Sequence, residues 1–67
     1  MTVHSLKAAR DIVSEMGPKK IEQVYVYLGA SGEELYAVFT KEDYIDIHDS
    51  PYVRDPELIF LDGKWLI

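Results

Sequence analysis

The stretch Leu58-Ile59-Phe60-Leu61-Asp62-Gly63-Lys64-Trp65-Leu66-Ile67 decides how this chain folds. Asp62-Gly63 is the strongest short signal for a two-residue hairpin, because a primed turn needs positive φ at both central positions and Asp-Gly tolerates it. The turn pairs Leu61 with Lys64, Phe60 with Trp65, Ile59 with Leu66 and Leu58 with Ile67. Side chains alternate across a strand. Leu58, Phe60, Trp65 and Ile67 therefore share one face, and Ile59, Leu61 and Leu66 share the other with Lys64. An antiparallel sheet normally offers one face to water, yet both faces here are apolar. Each needs a cover.

A second hairpin lies upstream. From Ile21 to Leu28, Val24, Val26 and Leu28 alternate with Gln23, Tyr25 and Tyr27, a period-two pattern rich in β-branched and aromatic residues. A loop with Gly29, Ser31 and Gly32 follows, and alternation resumes from Leu35 to Thr40. Pairing Leu28 with Leu35 places Val26 opposite Ala37, Val24 opposite Phe39 and Tyr27 opposite Tyr36.

The segment before this hairpin has helical spacing. Leu6, Ala9, Ile12, Val13 and Met16 recur every three or four residues, with Lys7, Arg10, Asp11 and Glu15 on the other side. Thr2 or Ser5 caps its start, and Gly17-Pro18 stops it. Thr40 reads as the cap of a second, short helix over 41–49, with Glu42 and Asp43 at the positive end of its dipole. That helix turns Tyr44, Ile47 and His48 to one side, with extended chain over Tyr44-Ile45-Asp46-Ile47 as the alternative, since Asp and Ile are mediocre helix formers. Ser50-Pro51 then opens a turn that ends at Pro56.

The expected order is α-β-β-α-β-β. This is an α+β two-layer sandwich, with two helices on one face of a four-stranded, mostly antiparallel sheet. Phe60 and Trp65 make the better helix-covered face. Tyr25, Tyr27, Tyr36, Val38, Ile59, Leu61 and Leu66 are then left on the far face, a patch large enough to mark an interaction surface.

Composition narrows the function. Residues 1–67 form a single small domain. With no Cys there is no disulfide framework and no thiolate metal site, so apolar packing must hold the fold, and the hydrophobic content is 48%. A net charge of −5 argues against nucleic acid, whose backbone demands clustered cations. Lys19-Lys20 is the only adjacent basic pair, so Tyr25, Tyr27 and Tyr36 lack the cations a base-stacking platform uses. No stretch reads as a secretory core or approaches the roughly 20 apolar residues of a membrane span. A cytoplasmic protein without a membrane partner is expected.

The densest polar cluster is Asp46-Ile47-His48-Asp49-Ser50. Asp, His and Ser invite a catalytic triad, but triad members must converge with the base between the other two, and neighbours on one turn do not. Asp46, His48 and Asp49 with His4 lack the HxxxH or HxH spacing of a metal site. Gly29-Ala30-Ser31-Gly32 precedes a strand and lacks the phosphate-loop pattern. No cofactor is expected, and no catalytic residue is assigned. The leading expectation is a non-enzymatic protein interaction module, most simply a homodimer through the apolar and Tyr-rich far face. One alternative is an acidic, inhibitor-type protein that binds a basic partner. The other is a small enzyme or ligand-binding domain using His48, Asp46 and Tyr44.

Overall fold

The computed structural model describes residues 1–67 and begins with a two-residue strand, β1 (Thr2–Val3). Helix α1 (Leu6–Met16) follows. Its N-cap is Ser5, in extended conformation, whose Oγ accepts the Ala8 N–H at 3.0 Å. Gly17 ends it at φ +97°, a backbone region L side chains avoid, with its N–H on Val13 O at 2.9 Å. Ala9 and Val13 are buried against the sheet, while Lys7 and Asp11 pair at 2.8 Å on the solvent side. Pro18–Lys20 makes one 3-10 turn into the first long strand.

The remaining strands are β2 (Ile21–Leu28), β3 (Glu34–Thr40), β4 (Arg54–Leu61) and β5 (Lys64–Trp65). They form one sheet in the order β1-β3-β2-β4-β5, with every neighbouring pair antiparallel. The α+β class holds. The detail differs from the sequence expectation, for the sheet has five strands and there is one α-helix.

Three local differences account for this, and each moves a face. First, the β2–β3 register is shifted by one residue: Leu28 pairs with Glu34, Val26 with Tyr36 and Val24 with Val38. The loop is 29–33, closed by Gly29 N–H to Glu33 O at 2.8 Å, one residue shorter than a Leu28–Leu35 pairing implies. A one-residue slip turns a strand over. Tyr36 and Val38 therefore lie on the helix side, and Leu35, Ala37 and Phe39 on the other.

Second, 41–49 forms turns and irregular chain, not a helix. The Asp43 carboxylate accepts the Thr40 N–H at 2.8 Å, and Thr40 Oγ1 accepts the Glu42 N–H at 3.3 Å, which closes a turn where a helix would start. Asp and β-branched Ile are poor helix formers. Ile45 and Ile47 instead use a spacing of two, with exposed Tyr44 and Asp46 between and beside them. Residues 41–53 thus form a strap whose Ile45, Ile47 and Val53 pack over Tyr25 and Ala37. The second sheet face has an intramolecular cover.

Third, β4 bulges. The Asp62-Gly63 turn forms as expected, with φ of +53° and +78°, and Phe60 pairs with Trp65 and Leu61 with Lys64. Val24 pairs with Phe60 but Tyr25 with Leu58, so Ile59 is an extra residue. Ile59 and Phe60 consequently enter the same core, each 1% exposed.

Two cores result. The helix side gathers Ala9, Val13, Ile21, Val24, Val38, Ile59 and Phe60, closed by Trp65 edge-on to Phe60 at 5.0 Å. The strap side gathers Tyr25, Ala37 and Ile47, with Phe39 edge-on to Tyr25 at 6.1 Å. No helix is long and apolar enough to cross a membrane.

Candidate functional site

With both sheet faces covered, the large apolar side chains left exposed are Met1, Met16, Tyr44, Tyr52, Leu66 and Ile67, of which only Leu66 and Ile67 are chain neighbours, at the end of the terminal hairpin. Leu66 is 54% exposed and Ile67 63%, and Leu61, which alternation puts on the same face as Leu66, is half-buried. The local geometry follows from the two-residue turn. Leu61 and Lys64 flank it, and the Leu66 N–H donates to Ile59 O at 2.9 Å. Bonded and non-bonded pairs alternate along an antiparallel ladder, so the intervening Phe60–Trp65 pair leaves the Trp65 N–H and C=O pointing out from β5. No strand lies beyond β5 in the sheet. Lys64 is the one charged residue on this strand. The Trp65 ring itself faces inward, under the Arg10 guanidinium at 5.0 Å from its centroid.

The residues expected to form one patch are divided. Tyr25, Tyr27, Leu61 and Leu66 belong to the strap side, whereas Tyr36, Val38 and Ile59 belong to the helix side. Tyr25 is buried beneath the strap, its hydroxyl donating to Gln23 Oε1 at 2.8 Å. Leu61 and Leu66 stay at the surface because the strap packs over Tyr25, Ala37 and Leu58 and not over the hairpin tip.

The polar cluster is carried on the strap. Asp46 and Asp49 close a turn through Asp49 N–H to Asp46 O at 3.0 Å, and His48 sits edge-on to the Tyr25 ring at 5.5 Å. Asp46, His48, Asp49 and His4 do not come together as a group able to hold a metal ion. Ser50 Oγ accepts the Tyr52 N–H at 3.2 Å, a local turn with no His hydrogen-bonded to the hydroxyl.

Asp43 caps the turn by which the chain leaves β3 for the strap. The Thr40 N–H it accepts holds its carboxyl below the ordinary value of 3.8. A depressed folded-state pKa gives a contribution fully present above about pH 4 and lost as pH falls through the lowered value. Carboxyl NMR titration should find the Asp43 midpoint below that of an unfolded reference, and the Asp43→Ala variant should lose this acid dependence from its melting curve. An unshifted midpoint would remove the capping role.

One strand escaped the sequence reading, and for 44–47 the non-helical alternative is the one the chain adopts. Thr2-Val3 pairs with Ala37 and Tyr36 as an edge strand, for which the only signal is a pair of β-branched residues. The strap's apolar anchors were legible as the alternation Ile45-Asp46-Ile47, the same period-two signal that marks strands. Compared with family models, with curated proteins and with solved structures, the chain finds no match.

Proposed function

We propose that this chain is a non-enzymatic protein-contact module that self-associates through the tip and outer edge of its terminal hairpin. The observation that carries the reading is the exposure of Leu66 and Ile67 directly after β5, an edge strand whose outer backbone groups have no partner in the sheet. A second copy approaching antiparallel would satisfy the Trp65 N–H and C=O of both chains and bring the two Leu66 side chains against apolar neighbours. Such an isologous contact uses the same surface twice. The strip carries little charge, so its association should depend weakly on salt. A cytoplasmic location is part of the same reading, since the fold stands without disulfides.

Sedimentation equilibrium at micromolar concentration should show a species of twice 7.7 kDa, little changed between low and high salt. Leu66→Lys should return the monomer with an unchanged far-ultraviolet spectrum, because Leu66 is not part of either core. A monomer throughout the concentration range would overturn self-association. The second reading, an acidic protein for a basic partner, draws on the exposed carboxylates Glu42, Asp43, Asp46, Asp49, Asp55 and Glu57. Its binding would weaken steeply with added salt, and that dependence separates the two.

A further inference from the structure

The strap crosses the sheet without filling all the space beneath it. A cleft of about 280 Å³ remains, floored by Tyr27, Ala37 and Phe39 and roofed by Ile47 and Val53. Met1 and Thr2 of the β1 edge close one side, and Asp46 and Ser50 supply its polar lining. Six of the nine lining residues are hydrophobic. The wider depressions near Lys19, Lys20 and Lys41 are each lined by two or three of these lysines, whose charge disfavours a cation.

The Asp46 carboxylate makes no hydrogen bond and no ion pair within the chain. The Met1 nitrogen nearby is held by Val38 O at 3.0 Å and is not its partner. A cleft floored by two aromatic side chains and edged by one carboxylate without a partner in the chain is complementary to a ligand with an apolar body and a positive end. We propose that the cleft binds a small amphiphilic primary ammonium compound, its body between the Phe39 and Tyr27 side chains and the strap, and its charge at Asp46. The cleft is at the small end of ligand pockets, so the ligand is smaller than drug-sized. The strap is the adjustable wall, since residues 44–53 hydrogen-bond only among themselves. This inference does not rest on self-association.

The test uses 2-phenylethylammonium as probe and two-dimensional amide NMR on the whole chain, alone and as the Leu66→Lys variant. Saturable shifts in the millimolar range should centre on Ala37, Phe39 and Ile47 and be the same in both proteins. Asp46→Asn, a change at an exposed position that leaves both cores intact, should weaken binding about threefold to fivefold, the effect of an exposed ion pair worth up to about 1 kcal/mol. The neutral 2-phenylethanol should bind the original chain more weakly than the ammonium does. Absence of saturable shifts up to about 10 mM, where affinities of a few kcal/mol would register, overturns the site. Equal binding of the alcohol and the ammonium, or an unaffected Asp46→Asn variant, overturns the assignment of the charge to Asp46.

Discussion

Replacing Phe60 with alanine should remove roughly a third or more of the free energy that holds this protein folded. Phe60 is among the largest fully buried side chains, and the bulge at Ile59 sets it under α1 with Trp65 against its edge. Deleting a buried Phe side chain costs about 3–5 kcal/mol, the lost transfer energy plus the cavity left behind. A domain of this length is stabilised by roughly 3–10 kcal/mol in total, at about 0.05–0.15 kcal/mol per residue. With no disulfide to limit the unfolded chain, nothing else offsets the loss. Urea titration followed by circular dichroism should show the midpoint lowered by roughly a third or more at unchanged slope. A loss below about 1 kcal/mol would mean that the helix-side core is not the main source of stability.

Ile47→Ala should have the second largest effect, and a different character. Ile47 is 4% exposed and is the one buried residue the strap contributes. Truncating it should cost about 2–4 kcal/mol. The hydrogen bonds of residues 44–53 are internal: Asp49 N–H to Asp46 O, Val53 N–H to Ser50 O and Tyr52 N–H to Ser50 Oγ. Apolar contact alone therefore holds this segment down, so its release need not disturb the ladders beneath. Hydrogen exchange should show faster exchange in 44–53 and new dye binding at the uncovered Tyr25 and Phe39, while α1 and the β2–β3 amides keep their protection. Loss of protection in α1 to the same degree would show that strap and helix unfold as one unit.

The parts of this fold that a sequence can announce are those set by local chemistry. Ser5, Gly17 and the apolar spacing of Leu6, Ala9 and Val13 define α1 without reference to anything distant. Asp62-Gly63 fixes the last hairpin because its backbone preference matches the turn. The β2–β3 register is not local in that sense: the two candidate pairings differ by one loop residue, and both place apolar side chains inward. The Ile59 bulge is set by how β4 must fit β2, and nothing in Leu58-Ile59-Phe60-Leu61 marks which residue is surplus. The site was legible in part. Leu66 is exposed and Leu61 half-buried, but Ile59 and Tyr25 of the same expected patch are buried, one by the bulge in β4 and the other by a strap that was read as a helix on the opposite face.

The placement of β2 between β3 and β4 has a consequence for the path to the native state. The β2–β3 ladder closes across a short loop, whereas Gln23 must find Leu61 and Val24 must find Phe60 from the other end of the chain. Loop closure entropy disfavours the distant partner until apolar contacts reward it, so the middle strand spends an interval with one bare edge. During that interval the exposed groups are those of Val24, Tyr25 and Val26, a sticky sequence in a nascent or crowded polypeptide. The most protected strand of the finished molecule is thus the most vulnerable one while it is being made.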